Sequence, residues 1–316
     1  INMYRGGLKM KILNNILETV GRTPILKINN INDTHADIYI KLESFNPAGS
    51  VKDRVALNMI EEAEKNGQLK KGDTIIESTS GNTGIGLAMV CAVKGYKLII
   101  VMPDCVSIER RKLLNAYGAK LVLTDGSQGM KGCLYKLHEL MKQYPNSFAP
   151  DQFSNPANPM THYNFTGSEI WKSFENKLDI FVCGTGTGGS FSGVAKYLKE
   201  KNNNIYTVAV EPMRAPFIST GVTGPHNIQG MGMSAGFIPE TFDPSVMDEI
   251  ATISYEEAQK ITNRLAKEEG VLGGISSGAN LAAALNLAKR PENKGKKILT
   301  LIMDTGERYL SSGIFY

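Results

Sequence analysis

Apolar and polar positions recur along this chain in two periods, and the two periods take turns. ADIYIKL (36–42), DTIIES (73–78), KLIIVM (97–102), KLVLT (120–124), LDIFVCG (178–184), IYTVAVE (205–211) and KKILTLIMD (296–304) are short, apolar and rich in β-branched residues, which predicts strands. Between them the pattern changes to helical spacing. Helices are expected over 51–66 with Gly67 as the stop, then over GIGLAMVCAVKG (84–95), 107–117, 130–143, a segment holding GSEIWKSFE (167–175), 190–199, 255–269 and 278–288. A helix-like segment opens the chain, and ETVGRTPILKINNI (18–31) turns at Gly21 and at Thr23-Pro24 before becoming strand-like. Strand, helix, strand, helix implies parallel pairing through right-handed crossovers. Four prolines in 145–159 mark a loop and a passage between lobes, and 212–239 reads as a long Gly- and Pro-rich connection. The expected architecture is α/β: two doubly wound, mainly parallel-sheet lobes with a cleft between them.

Composition narrows this picture. A chain of 316 residues with 42% hydrophobic side chains suggests two lobes or one large α/β unit, with ample apolar residue to close a core. The net charge of +4, from 35 basic and 31 acidic residues without a like-charged run, argues against nucleic acid and acidic membrane as partners. No apolar run approaches the roughly 20 residues of a membrane helix. The first nine residues read as an extension, with a natural start at Met10 or else at Met3, and without a signal-like apolar core. Cys91, Cys105, Cys133 and Cys183 form no CxxC pair and read as reduced thiols of a cytoplasmic protein. His35, His138, His162 and His226 show no metal-ligand spacing, so neither a metal site nor a catalytic role is expected of them. Trp171, with Ile170 and Phe174, has the spacing of a packed helix face.

Three loops carry candidate chemistry. In Asn46-Pro47-Ala48-Gly49-Ser50-Val51-Lys52-Asp53-Arg54 a lysine stands where a small-residue loop enters a helix. Such a loop lets a flat ligand approach the backbone, and a desolvated Lys52 amine would be a nucleophile toward carbonyls; a solvated surface lysine is the plainer reading. Ser78-Thr79-Ser80-Gly81-Asn82-Thr83-Gly84 follows a strand and opens a helix, either as a site for a carboxylate or as a capped turn. Gly184-Thr185-Gly186-Thr187-Gly188-Gly189-Ser190 does the same and satisfies G-x-G-x-x-G, with Glu211 lying 22 residues beyond Gly189. That is a dinucleotide fingerprint taken literally, although a single phosphate monoester asks for the same glycines and leaves roles for Lys52 and Asn82. Ser276, in GISSGA, either caps a helix or faces the cleft.

With these residues in place, the chain resembles the cysteine synthase (O-acetylserine sulfhydrylase) and cystathionine β-synthase family of fold-type II pyridoxal-phosphate enzymes, whose fold is like that of the tryptophan synthase β-subunit. The resemblance covers nearly all of 18–316, through VGRTPILKI, NPAGSVKDR, ESTSGNTGIGLA, MPDCVSIERRKLL, GAKLVLTDG, DQFSNPANP, CGTGTGGSFSG, VAVEP, GPHNIQGMG, AGFIP, EEGVLGGISSGAN and DTGERYL. It implies that pyridoxal 5'-phosphate lies between the lobes, bonded to Lys52 as an internal aldimine. Asn82 would meet the ring 3-hydroxyl, Gly186, Thr187, Gly188, Gly189 and Ser190 the phosphate, and Ser276 the pyridine nitrogen. Thr79, Ser80, Thr83 and Gln152 would receive the substrate carboxylate. The implied reaction is a β-replacement that makes L-cysteine from O-acetyl-L-serine and sulfide through an α-aminoacrylate. A serine at the ring nitrogen, unlike an aspartate, suits loss of a group from Cβ.

The same machinery also fits L-cysteine or O-phosphoserine as donor, lanthionine or cystathionine formation, or sulfide release. A nucleotide-binding oxidoreductase resting on Gly184, Gly186, Gly189 and Glu211 is the alternative of another class. The family implies a small mobile lobe of 1–21 and 46–156, carrying the Asn82 loop, against a larger lobe of 22–45 and 157–316, carrying the phosphate loop. It also implies a homodimer and relatives that dock the tail of serine acetyltransferase in the cleft. One departure stands out: Gly-Met-Gly-Met-Ser-Ala-Gly-Phe (230–237) replaces the family's Gly-Ile-Gly-Ala-Gly-Phe, so Met233 and Ser234 read as a two-residue insertion beside the cleft that bears on substrate choice.

Overall fold

The computed structural model describes residues 12–233 and 236–316. Among the described residues ten strands occur, in chain order: β1 (Ile25–Lys27), β2 (Asp37–Leu42), β3 (Thr74–Ser78), β4 (Lys97–Pro103), β5 (Lys120–Thr124), β6 (Ser147–Phe148), β7 (Ile180–Gly184), β8 (Tyr206–Pro212), β9 (Glu249–Ile253) and β10 (Lys297–Ile302). The α-helices are α1 (Lys52–Lys65), α2 (Asn82–Lys94), α3 (Ile108–Ala116), α4 (Gly129–Gln143), α5 (Ala157–Thr161), α6 (Ser168–Phe174), α7 (Gly189–Lys201), α8 (Phe217–Thr220), α9 (Tyr255–Glu269) and α10 (Ile275–Ala288). None of the described helices is long and apolar enough to cross a membrane.

The strands form two sheets, in the orders β5-β4-β3-β6 and β1-β2-β10-β7-β8-β9. Among these described strands, β1 and β2 pair antiparallel and the other pairs are parallel. Strands so paired are covered on both faces and need near-continuous apolar sequence, which β4 and β10 supply. Two helices show how the local sequence sets the elements. In α1 the residues Val55, Ala56, Met59, Ile60 and Ala63 fall on one buried face, and Gly67, at φ +72°, lets the chain leave. In α2 every residue from Thr83 to Cys91 is buried, and Gly95 at φ +79° accepts the left-handed turn that ends it. The expected α/β architecture of two mainly parallel sheets is thus the one observed.

Several local readings are corrected. EIATI forms β9, which pairs in parallel with β8 from Val208↔Glu249 onward; as a half-exposed edge it lacks the apolar run that marks the other strands. The proline-rich passage contains β6, two residues paired with Thr74 and Ile75, and the start of α5. Helix α10 begins at Ile275, three residues before the predicted start. The helix-like opening is a single 3-10 turn, Ile16–Thr19. Residues 162–167 wind as a π-helical turn ahead of α6, where bulky Tyr163 packs against Tyr197 of α7.

The topology places the functional loops. The carboxyl ends of β3, β7 and β10 lead respectively into 79–81, 185–188 and 303–305, and open α/β sheets bind ligands at such ends.

Candidate active site

Lys52 is the first residue of α1, and the loop ahead of it is held from both sides. Asp53 accepts the Ala48 amide at 2.6 Å and the Ser50 hydroxyl at 3.3 Å, and Ser50 Oγ accepts the Lys52 amide at 3.2 Å. From the other sheet, the Met303 carbonyl accepts the Val51 amide at 2.8 Å and the Gly49 carbonyl accepts the Thr305 amide at 3.0 Å. Gly49 lies at φ +80°, where a Cβ would stand 2.8 Å from Arg308 Nη2, so only glycine fits. The Lys52 amine faces a cavity of about 690 Å³ and has no hydrogen-bond or ion-pair partner among the described residues. Burial lowers its pKa to about 8, which leaves a substantial neutral, nucleophilic fraction near neutral pH. The thiol of Cys183, nearby and buried, is pushed up to about 12 by the same desolvation, so it is inert there.

Of the sequence-predicted residues, Lys52, Thr79, Ser80, Asn82, Thr83, Gln152, Gly186, Thr187 and Ser276 all line this one cavity. Thr83 Oγ1 donates to Gln152 Oε1 at 2.6 Å. That bond joins the asparagine loop to the segment after β6, where Asp151 takes φ +45°. Gly188, Gly189 and Ser190 stand behind the cavity wall, where they begin α7. Gly188 is at φ +84° and its Cβ would overlap Phe242; a Cβ on Gly186 would lie 2.7 Å from the Gly230 carbonyl oxygen. A loop packed so tightly has no room for side chains, and it sits at a helix N-terminus, the arrangement that binds an anion.

Residues that the motif reading passed over complete the site. Ser190 Oγ contacts Nε2 of buried His162 at 3.1 Å, and His162 Nδ1 contacts Thr166 Oγ1 at 3.0 Å. Burial, with Lys52 and Arg54 adding to it, holds the His162 pKa well below its usual value, so a neutral ring positions the Ser190 hydroxyl. Arg110 donates to the Ser80 carbonyl at 2.9 Å, to Gln229 Oε1 at 3.1 Å and to the Tyr309 hydroxyl at 3.2 Å. Asp304 Oδ2 accepts from Asn82 Nδ2 at 2.7 Å and from the Tyr309 hydroxyl at 2.6 Å, while Arg308 donates to Asn82 Oδ1 and to the Ala48 carbonyl. The strings ERRKLL and DTGERYL were visible as motifs, but nothing local in them shows that they converge on Asn82.

Glu211 is not part of the cavity wall. Its carboxylate accepts the amides of Ile218 and Ser219 at 2.8 and 3.2 Å, at the start of α8. The acidic residue that a dinucleotide ribose requires is thus committed to a helix cap. Met233, the described half of the insertion, lines the cavity and is buried among core residues such as Phe181 and Phe242; Ser234 lies outside the described residues. Among the described residues, no group of three His, Cys, Asp or Glu could hold a metal ion.

Comparison with known proteins agrees with this geometry. The family model described as pyridoxal-phosphate dependent enzyme matches residues 16–304. Cysteine synthase of Staphylococcus aureus (strain N315) is 51% identical over 310 residues, which is 98% of this chain and 99% of that one. Among solved structures, a hydrogen sulfide-producing enzyme from Fusobacterium nucleatum superposes with a TM-score of 0.93 at 54% identity, covering 96% of this chain and 100% of that one. Cysteine synthase from Entamoeba histolytica gives 0.94 at 41% identity, over 99% and 94% of the two chains.

Proposed function

Because the chain belongs to the family of pyridoxal-phosphate dependent enzymes, we propose that it is a cysteine synthase-type enzyme that makes L-cysteine from O-acetyl-L-serine and sulfide by β-replacement. The observation that carries the reading is the partnerless Lys52 amine, with its pKa lowered to about 8, on the same cavity wall as Asn82, Gly186 and Ser276.

The residues present fit the cofactor. An aldehyde needs an uncharged amine, which burial supplies at Lys52. A phosphate needs a glycine loop at a helix start, and the outward packing of Gly186 and Gly188 leaves no room for side chains there. Lys52, Asn82, Gly186, Thr187, Gly188, Gly189, Ser190 and Ser276 would hold the group. When bound, pyridoxal phosphate draws electrons from Cα of the amino acid, so that its proton is acidified, acetate leaves Cβ and sulfide takes its place.

The chain's own groups do the rest. Thr79, Ser80, Thr83 and Gln152 receive the substrate carboxylate on hydroxyls, backbone amides and a side-chain amide. Lys52 Nζ, once free, takes the Cα proton and later returns it. Ser276, which does not carry a charge opposite the ring nitrogen, favours departure from Cβ over deeper carbanion chemistry. In this proposal the lobe of 1–21 and 46–156 closes on that of 22–45 and 157–316 when the carboxylate is gripped, which excludes water; residues 1–11 and 234–235 of these spans lie outside the described residues. The family resemblance adds a homodimer and a docking site for serine acetyltransferase to the proposal; light scattering and competition by the acetyltransferase tail peptide test them.

The experiment is direct. Purified protein should show visible absorbance that borohydride bleaches, with the reduced cofactor recovered on the Lys52 peptide by mass. Protein without that chromophore, or label on another lysine, overturns the assignment. A second reading, release of sulfide from L-cysteine, is favoured by the likeness to the Fusobacterium enzyme and by Met233 in the cavity wall. Turning over O-acetylserine, O-phosphoserine, serine and cysteine with sulfide, homocysteine or a second cysteine, scored by product mass, separates the two.

A further inference from the structure

One hydrogen-bonded chain crosses the site. It runs from the Ser80 carbonyl to Arg110, from Arg110 to the Tyr309 hydroxyl, from Tyr309 to Asp304 Oδ2, and from there to Asn82. On the far side of Asn82 it continues through Arg308 to the Ala48 carbonyl, in the loop that holds Lys52. Arg110, Arg308, Tyr309 and Asp304 are buried, Asp304 being 1% exposed, while Ser80 and Asn82 are half-buried.

We propose that Asp304, aligned by Tyr309 and Arg110, is a positioning residue that fixes the Asn82 amide so that its one unpaired N–H faces the cofactor's ring oxygen and holds that oxygen ionised. The inference rests on the functional reading above and deepens it. The physics lies in the two charges flanking one amide. Asn82 has two N–H donors and one carbonyl. One N–H is committed to the Asp304 carboxylate and the carbonyl to the Arg308 guanidinium, which leaves a single donor for the cavity. Turning the amide over would set its carbonyl against a carboxylate and its NH₂ against a guanidinium, two repulsive contacts in a buried site, in place of two charge-assisted hydrogen bonds. An amide set in this way offers a donor, and a donor stabilises an anionic oxygen over a protonated one.

The test uses purified holoenzyme and follows the balance of its visible and near-ultraviolet bands against pH, together with the dissociation constant of pyridoxal phosphate. Asp304→Ala frees the amide; the titration midpoint should rise by about one pH unit and the cofactor should bind roughly tenfold more weakly. Asp304→Asn keeps the accepting oxygen but removes one of the two flanking charges, so both readouts should move in the direction of Asp304→Ala by a smaller amount. Tyr309→Phe, which opens no large cavity, should move the midpoint in the direction of Asp304→Ala by a smaller amount. An unchanged midpoint in Asp304→Ala overturns the proposal, even if affinity falls. So does an Asp304→Asn midpoint that moves opposite to that of Asp304→Ala. Should Asp304→Ala fail to fold, an unchanged midpoint in Tyr309→Phe is the overturning result. Wild-type protein that takes up no cofactor would instead overturn the functional reading itself.

Discussion

At the scale of single residues, the site depends on groups whose burial sets their chemistry. Lys52 is the clearest case: a folded-state pKa of about 8 means that capture of an aldehyde by cofactor-free protein should quicken about tenfold per pH unit below that value and level off above it. Stopped-flow absorbance after addition of pyridoxal phosphate reads this, and a rate independent of pH between 6 and 8 would contradict it. Lys52→Ala should lower turnover of O-acetylserine by at least about 10²-fold, since positioned proton transfer is worth that much or more. In the sequence, the loop alone left Lys52 more plainly a solvated charge, and its assigned role came from the family resemblance. The sequence did not make Asp304 or Arg308 legible, because their partner Asn82 lies more than two hundred residues earlier in the chain. Contacts of that span leave no periodic mark.

At the scale of elements, the chain ends its strands with residues that serve the cleft. Glu77, in β3, is buried and accepts the Asp151 amide at 3.1 Å, which helps to set the turn that presents Gln152. Desolvation raises its pKa to about 8, against 4.5 for an ordinary glutamate. A carboxyl that binds its proton more tightly when folded contributes its stability fully below about pH 4.5 and loses it as pH rises to about 8. Replacing it by glutamine, which keeps the acceptor and cannot ionise, should make stability flatter with pH. Between pH 5 and 8 the variant should gain on wild type by on the order of 3 kcal/mol in urea unfolding. The loop into α7 gives a second test. Gly188→Ala forces a Cβ into Phe242 at φ +84° and should cost about 2 kcal/mol or more, together with weaker cofactor binding. Most elements were readable from apolar periodicity, whereas β9 and β6 were not: an edge strand and a two-residue pairing acquire their identity from a neighbour rather than from their own pattern.

At the scale of the molecule, the connection of the N-terminal segment to the body runs through a buried charge cluster. Arg54 of α1 donates to Glu43 at 2.7 Å and to Glu169 of α6 at 2.8 Å, and Lys41 of β2 meets Glu169 at 2.8 Å, with Thr23 bonded to Glu43. Removing one partner of such a set leaves an uncompensated charge, so Glu169→Ala should destabilise the whole protein by about 3 kcal/mol, seen as a lowered Tm in calorimetry. A Tm equal to wild type would mean that the cluster relaxes into water. The alternation of strands and helices, the glycine loops after strands and the lysine at a helix entry were determined by sequence alone, because propensity and periodicity act over a few residues and are written locally. The convergence of Ser80, Asn82 and Arg110 on one cavity, the pairing of Asp304 and Arg308 with Asn82, and the diversion of Glu211 into a helix cap were decided only by the tertiary structure. Burial and charge pairing depend on which distant segments fold against each other, and no short window of sequence contains that choice.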